Sequence, residues 1–442
     1  MSTLTPQAQA LLTKFAQHPD VTPDQAANLE AAINSSPALI EQINKAVADD
    51  HLKIIVPLPA GKHAGGEYVA ASETVRLALP MLAATANKPF NPAEVAFVLG
   101  HEVQHGFEHA AVAKAYSHFH VEAKQEATEK AAIHDYTTVI ANPIAANRRD
   151  EAAAEIAGWN AMLDQIKSAN ENPTLADIYE KNKFRMADFI DRSGNNSSEY
   201  AYVLKPNLTL NPDLSLSPTH ANIEAMGQNY FDKVPKKTNI GDLGKSDYVT
   251  YYGTALVEHA IHYENKHAKP YQGVMPRMTM DMAMLGLSEK LLEEEGINLS
   301  TPNKTQQPYY DSSLTPAALH HFDHTQSGPN NHQHVPIAPM QSSQHENAIA
   351  QGQEYRFFPH TPEDAYLDAY LDAAERNDYS ARRTLTEQYE QLPHVHDLQQ
   401  AAREALEAER LQALQEQLRQ EQERQRQMQQ EQEHSRGRGF SR

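Results

Sequence analysis

The sequence predicts an α+β chain that is mainly helical, and three observations carry that expectation. Cap-and-proline pairs open short helices near the start. A brief series of β-rich runs follows, and then come long helical patterns, the first of them containing His101-Glu102-Val103-Gln104-His105. Four regions are expected: N-terminal helices over 1–50, a core with a helical second lobe over 51–300, a low-complexity linker rich in His, Gln, Pro and Ser over 301–360, and a helical, Gln-rich region over 361–442.

In chain order, Thr5-Pro6, Thr22-Pro23 and Ser36-Pro37 each set a capping side chain before a proline that suits the first helical turn. Apolar faces follow: Leu11, Leu12 and Phe15; Leu29, Ala32 and Ile33; Leu39, Ile40, Ile43 and Val47. Strand signals occupy Leu52–Leu58, Gly66–Ser72 and Thr74–Leu79, the last alternating Val75, Leu77 and Leu79 on one side. Asn91 then caps a helix with Pro92 in its first turn, and Glu94 is placed to complete a capping box. Val95, Leu99, Val103 and Phe107 recur at i+4 with Val98 beside them, a core stripe that leaves the two histidines on another face. Residues 111–147 continue helical. A further stripe of Ile156, Trp159, Leu163 and Ile166 marks another helix.

His101 and His105 are one turn apart on one helical face, so both imidazoles can reach a single metal ion, with Glu102 beside the open position as a general base. Zinc (Zn2+) is the expected ion, because it lowers the pKa of water to about 7 and a neighbouring carboxylate can then take the proton. His109 lies roughly 12 Å further along the axis at about 1.5 Å per residue and cannot close the same sphere. The metzincin spacing fails too, since Glu108 and Ala111 stand where its Gly and third His belong. The better third ligand lies in the second acidic helix, where Glu151 and Glu155 are again an i, i+4 pair. His118, His120 and His134 have no partners at ligand spacing and read as ordinary surface or core histidines.

With these residues the chain resembles the gluzincin metallopeptidases, a zincin-like core of small sheet, H-E-x-x-H helix and Glu-bearing helix. The resemblance implies Glu151 as third zinc ligand and Glu155 as the acid that holds a ligand imidazole in the right tautomer. It also implies that the last strand forms the cleft edge and pairs with an extended peptide. Oxyanion donors in such enzymes are often Tyr or His, which points to Tyr251, Tyr252, His259 and His262 in the stretch Ser246–His262. A second stretch, Asn222–Asp232, stands out without an assigned role. The G-H-E-x-x-H run Gly100–His105, the Glu-bearing helix and the Gln-rich tail together resemble metallopeptidase effectors that bacteria deliver into rival bacteria by type IV secretion. That likeness implies a toxin cutting protein or peptidoglycan peptide, an immunity protein, and a C-terminal region read by the secretion machinery.

Composition narrows the alternatives. With 38 Lys and Arg against 58 Asp and Glu, a net charge of −20 argues against nucleic acid as a partner. The absence of cysteine excludes disulfides, thiolate catalysis and Cys-ligated zinc. No apolar run approaches about 18 residues, so no membrane span is expected. Met1–Gln17 lacks the basic start and apolar core of a signal peptide, so export from a bacterial cytoplasm into a target cell or periplasm would need another address. Two function classes follow: a zinc-dependent peptide hydrolase, or a zincin-derived binding or delivery protein without catalysis. The intact Glu102 separates them, because a purely structural metal site needs no general base.

Overall fold

Proline at the first turn and a hydroxyl at the cap explain the first three helices, α1 (Pro6–Ala16), α2 (Pro23–Asn34) and α3 (Pro37–Ala48). In the computed structural model the Thr5, Thr22 and Ser36 side chains accept from Ala8, Gln25 and Leu39 backbone N–H groups respectively. The structure describes residues 2–326 except 60, 63, 85–88, 195–198, 239, 241–243 and 300–305. The expected C-terminal region over 361–442 therefore lies outside the described residues. What is described is α+β and mainly helical, as the sequence predicts.

The first sheet holds β1 (Ile54–Pro57), β2 (Gly66–Val69) and β3 (Thr74–Leu77) in the order β1-β3-β2, with β1 parallel and β2 antiparallel to β3. The strand runs are found where expected, but the last is not the cleft edge. Val75 and Leu77 are fully buried, so β3 takes the centre, and the half-buried β2 becomes the edge. The second run also stops early, at a short 3-10 turn over Ala70–Ser72 that Glu73 ends with φ 47°.

Two long antiparallel partners follow, α4 (Pro92–Thr128) and α5 (Thr137–Ala169). Asn91 caps α4 through Ala93 and Glu94 N–H, but the capping box does not close. Glu94 instead bonds Asn182 and Arg185, a half-buried ion pair outcompeting a local bond. The two helices approach closely because Gly100 and Gly158 carry no Cβ. One at Gly100 would stand 2.9 Å from Ala161 Cβ, and one at Gly158 would stand 2.9–3.0 Å from the Phe97 ring. Val95, Val98, Leu99 and Val103 pack with the N-terminal helices and β1 and β3, while Phe97 and Ala93 join Ile156, Trp159 and Leu163 in a second core. One helix thus divides two cores and keeps its His101 face between them.

The helical run expected over 111–147 is broken by β4 (Ile133–Asp135), which pairs in parallel with a strand distant in sequence. After α5 come α6 (Leu175–Lys181), α7 (Lys183–Met186), the hairpin β5 (Ile190–Ser193) and β6 (Ala201–Leu204), and α8 (His220–Met226). A π-helical turn, Gly227–Phe231, leads on to α9 (Tyr248–His267), β7 (Arg277–Met280), α10 (Met282–Leu285) and α11 (Glu289–Glu295).

The linker expected over 301–360 needs correction where it is described. Residues 306–326 contain β8 (Gln306–Asp311) and β9 (Ala318–Asp323), which complete a second sheet in the order β4-β7-β8-β9. Tyr309 and Phe322 are fully buried there and stack at 4.4 Å. No helix among the described residues is long and apolar enough to cross a membrane.

Candidate metal centre

His101 and His105 stand one turn apart on α4, and Glu151 faces them from α5. The two imidazole Nε2 atoms are 3.1 Å apart, and Glu151 Oε2 lies 3.6 Å from His101 Nε2. All three donor atoms fall within 4.8 Å of one another, and His101 and Glu151 are buried. This group can hold a metal ion.

The outward-facing nitrogens explain why a cation suits it. His105 Nδ1 is 2.8 Å from Asp150 Oδ1, and His101 Nδ1 is 3.2 Å from Glu155 Oε1. With a carboxylate at each Nδ1, both rings turn their Nε2 atoms toward each other, 3.1 Å apart, where a shared proton or a cation can join them. A cation there would also meet Glu151, so that three donor atoms share it. Glu155 is 1% exposed and His101 Nδ1 is equally enclosed, yet their contact is out of line, so neither carboxylate oxygen of Glu155 has a hydrogen bond. The two orienting contacts are therefore unequal, and Asp150 makes the better one.

Electrostatics follow the same asymmetry. Burial, then the neighbouring His105, hold His101 well below the usual imidazole range. Burial also acts downward on His105, but Asp150, by charge and by hydrogen bond, and then Glu151 and Glu102 outweigh it and raise that ring. Burial lifts Glu155 to about 7 against the opposing charges of Arg185 and Lys233. Desolvation likewise raises Glu102, with His101 and His105 pulling it back.

Glu102 is 8% exposed and points toward the edge strand. A Cβ at Gly66 of β2 would come within 2.7 Å of Glu102 Cγ and 2.9 Å of its Oε1, so only glycine leaves this carboxylate its place. A Cβ at Gly65 would be less crowded, 3.3 Å from Val98 and 3.4 Å from Arg185, whose guanidinium covers the Phe97 ring at 4.8 Å.

The four tyrosine and histidine candidates separate. Tyr252 donates to Glu151 Oε1 at 2.7 Å, so it belongs to the centre as a partner of the ligand itself. Tyr251 is beside it but 55% exposed. His259 and His262 are not brought there: His259 packs against Phe119 and His120, and His262 against Tyr263. Phe119 is 14 residues beyond His105 on the same helix, roughly 21 Å at about 1.5 Å per residue. The π turn supplies what the sequence reading left unassigned in Asn222–Asp232. Tyr230 lies edge-on to His101, with ring centres 6.4 Å apart, and hydrogen-bonds the Tyr248 hydroxyl. Burial, with Tyr248 and both Glu155 and Glu151 nearby, pushes the Tyr230 phenol far up, so it stays a neutral donor.

Asp150 escaped the sequence reading because it sits one residue from Glu151, off the i, i+4 face that drew attention there. The adjacent Asp150-Glu151 acids were the available signal. His109 is exposed and takes no part, as its helical position requires. Comparison with protein families, with curated proteins and with solved structures finds nothing that matches this chain.

Proposed function

We propose that this chain is a zinc-dependent hydrolase that cleaves peptide bonds in protein or in cell-wall peptide. The observation that carries the reading is the convergence of His101 Nε2, His105 Nε2 and a Glu151 oxygen beside a buried Glu102. Two imidazoles and one carboxylate form a donor set suited to catalytic zinc, which takes three protein ligands and keeps its fourth position for water or substrate. Non-haem iron also uses two His and one carboxylate. A buried acid next to the ligands favours hydrolysis, which needs a proton acceptor there. When bound, zinc would supply the Lewis acidity that polarises a carbonyl and activates water.

The chain's own residues would do the rest. Glu102 would take the proton of the attacking water and pass it to the leaving amine, helped by burial that raises its affinity for that proton. Asp150 and Glu155 would keep both imidazoles turned toward the ion. The half-buried edge strand β2, running past Glu102, offers main-chain groups to an extended peptide. That such hydrolysis serves an exported antibacterial effector, with an immunity partner and a secretion signal, rests on the sequence resemblance.

The test is elemental analysis of the purified full chain before and after chelation, beside digestion of unfolded protein and of cell-wall material. One zinc per chain is expected, with hydrolysis lost on chelation. Glu102→Gln should retain zinc and lose hydrolysis, because an amide cannot accept the proton. Iron in place of zinc, or a Glu102→Gln protein as active as the parent, would remove this reading.

A further inference from the structure

Arg148 sits on α5 one turn before Glu151, and it reaches away from the ligands to the segment that carries Tyr230. Its Nε donates to Asp232 Oδ1 at 2.9 Å and its Nη2 to Asp232 Oδ2 at 2.8 Å. Its Nη1 donates to Glu224 Oε2 at 2.9 Å. Glu224 precedes the π turn and Asp232 ends it, so one guanidinium grips both sides of Gly227–Phe231. The grip requires glycine at the start of the turn: a Cβ at Gly227 would stand 2.5–2.9 Å from three guanidinium atoms. Planar and bidentate, the contact fixes orientation as well as distance, which a lysine could not do.

The turn so held sends two consecutive rings to the metal centre. Tyr230 faces His101, and Phe231 stacks on Tyr252 at 5.8 Å and 12°, the residue that holds Glu151. The turn closes by the π-type bond from Asp232 N–H to the Gly227 carbonyl, at 3.0 Å. That extra residue in the turn changes where its side chains point, a device that recurs at functional sites. Lys233 holds the far side, paired with Asp188 at 3.0 Å and lying over the Tyr230 ring at 4.7 Å.

We propose that Arg148 is a positioning residue: it ties the π turn to the Glu151 helix, so that Tyr230 is held against the His101 ligand. Its consequence for turnover rests on the hydrolase reading, whereas the clamp itself does not. Loss of Arg148 leaves the Lys233–Asp188 attachment, so the turn should shift and not detach.

The experiment uses the full chain with isotope-labelled histidine and follows the ring signals of His101 by NMR, assigned by their loss in His101→Ala. Tyr230→Leu removes the ring current on His101 and gives the reference displacement. Arg148→Met should move the His101 signals in the same direction while those of the distant, buried His134 stay in place. Arg148→Lys should give an intermediate shift. Unmoved His101 signals in Arg148→Met, or in Tyr230→Leu itself, would overturn the clamp. Should Arg148→Met fail to fold, Gly227→Ala puts only a methyl group against the guanidinium and should shift His101 alike; no shift there counts equally against the proposal. In a protein that hydrolyses peptide, Arg148→Met should lower kcat about tenfold with KM and zinc content unchanged. Loss of zinc instead would make Arg148 a support of the ligands and refute the positioning role. If the parent chain hydrolyses nothing, the hydrolase reading falls, and the His101 shift still decides the clamp.

Discussion

Among the groups that bury a histidine against carboxylate and tyrosine, two are built to opposite ends. In the first, His134 Nδ1 meets Glu264 Oε2 at 2.8 Å, its Nε2 meets the Glu129 carbonyl at 3.0 Å, and Tyr136 donates to the same Glu264 oxygen at 2.8 Å. Both ring nitrogens are occupied by neighbours, and the cluster joins β4 to α9. In the second, the Nδ1 atoms of His101 and His105 face carboxylates, but their Nε2 atoms face each other and Glu151. Burial and a nearby acid are common to both. What marks the second as a site is that two imidazole nitrogens and a carboxylate oxygen point at one place within 4.8 Å of one another, instead of each being tied to a separate neighbour.

The widest separation between the groups should come from removing one carboxylate from each. Glu151→Ala should weaken metal binding by more than the roughly 100-fold that loss of an outer partner costs, while leaving the fold intact. Glu264→Ala should do the reverse. It leaves His134 and Tyr136 buried without their acceptor and should cost about 3 kcal/mol of stability with metal affinity unchanged. Metal titration and denaturant unfolding on both variants read the two effects side by side. If Glu264→Ala lost metal as Glu151→Ala does, the contrast would be void.

The same contrast explains what could be read from the sequence. The helix pair carrying His101, His105 and Glu151 was legible because a site on α-helices repeats at i, i+4, and caps such as Thr5-Pro6 announce helices locally. The second sheet was hidden. The inward side of β8 and β9 carries Gln307, Tyr309, Asp311, His320 and Phe322, a mostly polar face that composition reads as linker. It can be buried only because Glu289 accepts from Tyr309 at 3.0 Å and faces His320 at 3.3 Å, partners that no local pattern reveals. β4 was missed for a related reason, since its three residues are strand only by pairing with β7 across more than a hundred residues. Tyr252 was singled out, but its partner was not, because a hydrogen bond to Glu151 depends on how α9 lies against α5.

A smaller effect sharpens the comparison inside the site. Asp150→Ala and Glu155→Ala each remove a carboxylate from a ligand Nδ1, and each should weaken metal binding about 10–100-fold. Asp150→Ala should be the more damaging of the two, because its 2.8 Å contact is a proper hydrogen bond and the 3.2 Å contact of Glu155 is out of line. Competition with a chromogenic chelator gives both affinities. The reverse order would mean that the bound ion draws His101 into line with Glu155.

The smallest expected change concerns a single hydroxyl. Tyr252→Phe keeps the ring that stacks on Phe231 and deletes only the 2.7 Å bond to Glu151 Oε1. A hydrogen bond to a carboxylate contributes roughly 1.5–3 kcal/mol in place, but the freed oxygen can turn toward the ion and recover part of it. Metal affinity should therefore fall by no more than about tenfold. Tyr251→Phe, one residue away and exposed, should change nothing and serves as the control for altering this helix. The pair also decides between two roles for Tyr252. A hydroxyl that only steadies Glu151 lowers metal affinity, with full hydrolysis restored by excess metal. A hydroxyl that donates to the substrate lowers kcat at saturating metal and leaves affinity alone. Because its bond to Glu151 is already made without substrate, we expect the first outcome, and a kcat defect that saturating zinc does not repair would assign Tyr252 to the reacting carbonyl instead.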